Sequence, residues 1–126
     1  MRLAAQDFEA AQILSDKGLW PVSCFHAQQA AEKGLKAVLA ARNQPFPKTH
    51  DLERLAALIG ESLPGFPSLA EHCAVLNEYA VTARYDPGAA WGIDHDETLH
   101  ALHLSREVLG HCRTAVERER ADPDAP

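Results

Sequence analysis

At 126 residues, 46% hydrophobic and 24% charged, the chain has the make-up of one soluble domain whose core needs no metal or disulfide staple. A formal net charge of −6 argues against a protein that coats DNA or lies on a membrane surface, since both carry a basic excess. No apolar run approaches the roughly 18 residues that a membrane helix needs. The first ten residues, MRLAAQDFEA, bring in Asp7 and Glu9 before an apolar segment can form, so no signal peptide is expected. Cys24, Cys73 and Cys112 are far apart, odd in number and without a CxxC pair. They read as small buried residues of a reducing cytoplasm, with no cysteine zinc site and no cofactor implied.

Helix-period segments alternate with Pro and Gly breaks, and no strand-like alternation occurs. The first helix is predicted from about Ala4 to Lys17, ending at Gly18 as its C′ residue. The second runs from near Pro21 to about Arg42. NQPFPK, residues 43–48, is a loop by its two prolines, with Phe46 plugging the bundle end. Thr49 is the expected cap of a third helix that has Asp51 in its first turn and ends near Ile59. Ser68 and Glu71 have capping-box spacing, opening a fourth helix to about Arg84. Tyr85–Ile93 is irregular by Asp86, Pro87 and Gly88. Asp94 with Glu97 then starts a fifth helix, from about His95 to Arg120. The expectation is an all-α protein, an antiparallel up-and-down bundle of four to five helices over residues 1–120, with a frayed tail at 121–126.

The second helix carries the most information. Trp20, Cys24, Ala27, Ala31, Leu35, Val38 and Leu39 share one arc and face the core. His26, Gln29, Lys33 and Lys36 line the other side, with Glu32 beside them. Val22 and Phe25 interrupt that polar arc, and Gln28 falls inside the apolar one, where a buried amide requires partners. A solvated face, an interface, a ligand pocket and packing against a loop all fit this pattern.

The run Phe25–Ala37 (FHAQQAAEKGLKA), then Thr49-His50-Asp51-Leu52, then Tyr79 and Ala83-Arg84-Tyr85-Asp86-Pro87, resembles the HEPN domain family, "higher eukaryotes and prokaryotes nucleotide-binding". Three signatures in order, over Ala4 to Arg120, carry the resemblance. It implies a helical bundle, usually homodimeric, akin to small proteins paired with a minimal nucleotidyltransferase in toxin–antitoxin-like systems. Many members of the wider superfamily are metal-independent ribonucleases with an Arg, four to six residues, then a His near the start of the last long helix. In that chemistry Arg holds the scissile phosphate and His is the general acid or base.

This chain departs from that signature. After Arg84 the first histidine is His95, eleven residues on, and the one Arg-x4-His, Arg106 with His111, sits deep in the fifth helix. These four are the weak catalytic candidates. The resemblance therefore implies binding rather than cutting. Lys33 and Lys36 are matched to phosphate charge, and His26, Gln28 and Gln29 to neutral hydrogen bonds. Arg84 beside Tyr85 is matched to stacking or a phosphate contact, against capping of the fourth helix or pairing with Asp86. For Glu32 an i,i+4 pair with Lys36 is the expectation, and for His50 and Asp51 a bracing role. His100, His103, Glu107 and His111 form a stripe whose first three members are a weak transition-metal candidate, against a solvated or dimer-facing surface.

Three readings follow: a HEPN-type binding protein, homodimeric, with a nucleotidyltransferase partner and nucleotide or RNA as ligand; a ribonuclease toxin with an atypical Arg/His site; and a dimerisation bundle without ligand.

Overall fold

The computed structural model describes residues 1–80 and 92–121. Among these residues are five α-helices and no strand: α1 Arg2–Asp16, α2 Trp20–Ala41, α3 Leu52–Ser62, α4 Ala70–Asn77 and α5 His95–Ala121. The chain is the all-helical bundle that its periodicity predicts. No helix among the described residues is long and apolar enough to cross a membrane.

Both long N-terminal helices stop by the same device. At the end of α1, Gly18 takes φ +75 while Leu19 N–H donates to the Leu14 carbonyl and Gly18 N–H to Ser15. At the end of α2, Asn43 takes φ 53, and Gln44 and Asn43 donate to Leu39 and Ala40. Each is a paired C-terminal closure around a left-handed residue, which glycine and asparagine tolerate best.

Three expectations at helix ends are corrected. Asp51, not Thr49, caps α3, because its carboxylate accepts from the N–H groups of both Glu53 and Arg54. Thr49 sits one step out, its hydroxyl accepting from Asp51 N–H at 3.1 Å. No capping box forms at Ser68: α4 begins after Leu69 with no side-chain cap, and it closes at Asn77 rather than near Arg84. Residues 81–91, which include Arg84, Tyr85 and Trp91, lie outside the described residues. The Asp94–Glu97 start holds, with Glu97 N–H donating to Asp94 Oδ1 at 2.8 Å.

α2 is the central element, packed along α1 and α5 and crossed by α3. Its small residues set the spacing. Ala30 meets Ala4 and Leu109, while Ala27 meets Ala11 and Leu102, with Phe8 closing both sets. Two buried hydroxyls tie the backbones together: Ser23 Oγ donates to the Ala11 carbonyl at 2.6 Å, and Ser105 Oγ to the Ala27 carbonyl at 2.8 Å. The main core lies on the other flank, where Leu35 and Leu39 pack with Leu52, Leu55, Ile59, Leu76 and Val108.

The contact pairs also set direction. α1 runs against α2, since 4 meets 30 and 11 meets 23. α5 runs alongside α2, since Cys24 reaches Thr98, Ala27 reaches Ser105 and Arg42 reaches Glu119. α3 also follows α2, because residues 43–51 carry the chain back from the end of α2 to His50, beside Gln28. Fourteen helical residues span about 21 Å and eight extended ones reach about 26 Å, so the proline-bearing segment is long enough only if nearly straight. Phe46 stays 36% exposed on this segment and does not plug the bundle end.

Candidate functional site

The polar residues of α2 separate into two carboxylate-centred clusters. In the first, Asp7 of α1 lies between two residues of the stripe. Its Oδ1 is 3.2 Å from His26 Nδ1, and its Oδ2 pairs with the Lys33 ammonium. In the second, Glu32 is 5% exposed. Its Oε1 accepts from His50 Nδ1 at 2.8 Å and Gln28 Nε2 at 3.5 Å, and its Oε2 from Lys36 Nζ at 3.1 Å. Gln28, fully buried, also donates to the His50 carbonyl at 3.2 Å and accepts from Gln29 Nε2 at 2.7 Å.

The buried amide thus has the partners that its position demands. The i,i+4 pair of Glu32 with Lys36 is present, and His50 braces the segment leading into α3. That start is locked further by Asn77 of α4: Leu52 N–H donates to Asn77 Oδ1 at 2.8 Å, and Asn77 Nδ2 to Asp51 at 2.9 Å. Both stripe lysines are therefore already matched by carboxylates of this chain. His50, with 73% of its side chain exposed, is held by a buried carboxylate through Nδ1, and its Nε2 has no partner among the described residues. That orientation is the one a general base or a hydrogen-bonding contact uses.

The histidines of α5 do not converge. His103 Nε2 lies 2.6 Å from Glu107 Oε1, and His72 of α4 takes the other oxygen at 3.5 Å, so the carboxylate links two helices. His100 is exposed and pairs with no carboxylate among the described residues. Among the described residues no group of three His, Cys, Asp or Glu side chains is placed to hold a metal ion. His95 stacks on Trp20, with ring centroids 5.5 Å apart. Arg106 and His111 sit on different sides of α5. The Arg106 guanidinium lies over Phe8 at 5.3 Å, in a cleft with Ile13, Leu99 and Leu102. His111 faces a second cleft beside Phe66 and Arg118.

All three cysteines are free and buried. Burial pushes the Cys24 thiol up to about 11, and those of Cys73 and Cys112 up to about 12. They are neutral at physiological pH and unsuited to nucleophilic work. Burial also raises the phenol of Tyr79, with the nearby Glu97 charge adding to it.

The sequence pattern missed Asp7, the partner of two stripe residues. Its signal was there: Asp7 falls between Ala4 and Ala11 on the buried stripe of α1, where a carboxylate needs a counter-ion. It also missed Arg42, which pairs with Glu119 and donates to the Ser62 carbonyl at 2.7 Å. A cation just past a helix end carries no such mark.

Comparison with known proteins gives this arrangement a family. The HEPN domain model matches residues 1–115. The chain belongs to the HEPN domain family. Among solved structures, this HEPN domain is similar to TT1696 from Thermus thermophilus, at 30% identity over 89% of this chain and 91% of that one, with a TM-score of 0.81. It also shares its fold with ST0689, an archaeal HEPN homologue, at 18% identity over 91% and 93% of the two chains and a TM-score of 0.76. No curated protein matches it.

Proposed function

We propose that this HEPN domain is a cytoplasmic binding and interaction protein, a homodimer that serves as helical partner of a minimal nucleotidyltransferase in a toxin–antitoxin-like pair, with nucleotide or RNA as its ligand. Family membership supports the partner. One observation carries the choice of binding over cutting: Arg106 and His111 face separate clefts, so they cannot share one scissile phosphate. The other Arg/His combination, Arg84 with His95, rests on a residue outside the described ones and on an imidazole stacked against Trp20.

The test is incubation of the purified protein with total RNA in the absence of metal. Intact RNA is expected. Cleavage that disappears in Arg84→Ala or Arg106→Ala would establish the ribonuclease reading instead. Calorimetric titration with ATP then separates a ligand-binding domain from a bare dimerisation bundle, and co-elution with a co-expressed minimal nucleotidyltransferase tests the partner.

A further inference from the structure

The second cleft of α5 lies outside both carboxylate clusters. It opens between the C-terminal half of α5 and the connection from α3 to α4, and holds about 340 Å³, the size at which small-molecule sites begin. Its apolar wall is Leu63, Phe66, Pro67 and Ala115, of which Ala115 belongs to the main core and Leu63 and Phe66, partly buried, pack against it. Its polar wall is one face of α5, with His111, Thr114 and Arg118 at i, i+3 and i+7.

Arg118 and His111 have no ion pair or hydrogen bond among the described residues, unlike Lys33, Lys36 and Arg42, whose charges are met within the chain. Among the described residues Glu119 is the single carboxylate on the lining, and Arg42 of α2 already holds it. A permanent guanidinium and an imidazole therefore face an aromatic and aliphatic wall with no free counter-ion among the described residues.

We infer that this cleft is a binding site for a small aromatic anion, its ring against Phe66 and Pro67 and its anionic head on Arg118 and His111. Guanidinium takes a phosphate or carboxylate head in two-pronged fashion, and the His111 imidazole can add a ring N–H. The ring supplies the apolar contact that a bare inorganic anion lacks. This inference stands apart from the nucleotidyltransferase reading, and its failure leaves that reading untouched.

Phenyl phosphate, benzoate and inorganic phosphate, titrated calorimetrically into the full chain, test it. Phenyl phosphate or benzoate should bind saturably, and the tighter of the two identifies the head group. Inorganic phosphate should bind at least roughly tenfold more weakly, because it makes no use of the apolar wall. Arg118→Gln should weaken the aromatic anion by roughly tenfold or more, as expected for one charge-assisted hydrogen bond. Thr114→Trp, which narrows the mouth and keeps Arg118 and His111, should weaken it similarly. Both positions are exposed, and circular dichroism checks that the variants fold. The inference fails if neither aromatic anion saturates, if inorganic phosphate binds as tightly, or if Arg118→Gln changes nothing.

Discussion

Gln28 shows how much of this chain's polar chemistry is spent internally. Its amide bonds the His50 carbonyl, the Glu32 carboxylate and the Gln29 side chain. Gln28→Leu keeps the bulk but strands the His50 carbonyl and the Gln29 amide, so a loss of about 1–3 kcal/mol is expected in urea denaturation. An unchanged midpoint would mean that water takes over both groups at no cost. The thiols give a second test at this scale, with its sign set by burial. Their folded pKa values, about 11 to 12, lie above the ordinary thiol value of 9.0, so the folded state keeps protons that the unfolded chain releases. This contribution is fully present below pH 9 and is lost as pH rises through the folded values. Stability should fall above pH 9 by at most about 1.4 kcal/mol per pH unit for each thiol. Denaturation at pH 8, 9 and 10 measures the slope, and replacing all three cysteines with Ala should flatten it.

At the scale of elements, α2 and α5 approach closely at Gly34. A Cβ there would stand 2.8 Å from Leu109 Cδ2 and 3.5 Å from Cys112 Sγ. Alanine favours the helix by about 1 kcal/mol, but the contact requires the buried tip of Leu109 to move. Gly34→Leu has no such compensation and should cost more than about 2 kcal/mol, whereas in a Leu109→Ala background, itself destabilised by its cavity, Gly34→Ala should add no further cost. Melting curves of the set decide this, and simple additivity would remove the close contact as the reason for glycine. The contrast between such packing and what the sequence showed is instructive. The core arc of α2, the Gly18 closure and the Asp94 start were legible because periodicity and cap chemistry are local. The unsatisfied amide of Gln28 was legible as a demand, but its partner was not, since His50 reaches it only through the fold-back of residues 43–51. The same holds for Asp7, whose partners sit on another helix. The Ser68 box failed for a physical reason too: spacing alone cannot tell whether the chain enters a helix at the first polar residue or, as here, after Leu69 has turned into the core.

For the whole molecule, the homodimer proposal can be placed on a surface. Ile13 of α1 and Leu99 of α5 are each 48% exposed and flank one cleft, with Leu102 at its base. Glu9 and Asp16 stand on the same cleft as Arg106, so the patch carries apolar groups and both signs of charge. A twofold axis pairs such a patch with itself, seating Leu99 and Ile13 of one protomer on the other while Arg106 meets a carboxylate across the axis. On the histidine face of α5, His103 is already held by Glu107. Leu99→Asp places a charge at the apolar centre and should weaken self-association by roughly tenfold or more, with little effect on the monomer because the side chain is half in solvent. Arg106→Glu alone should weaken it less, and the loss should shrink as salt is raised, since rim charges are screened. Sedimentation velocity across a concentration series reads both effects, and circular dichroism confirms that the fold is retained. If Leu99→Asp sediments as the parent does, the protomers meet on another face and the α1–α5 cleft is free for a different partner.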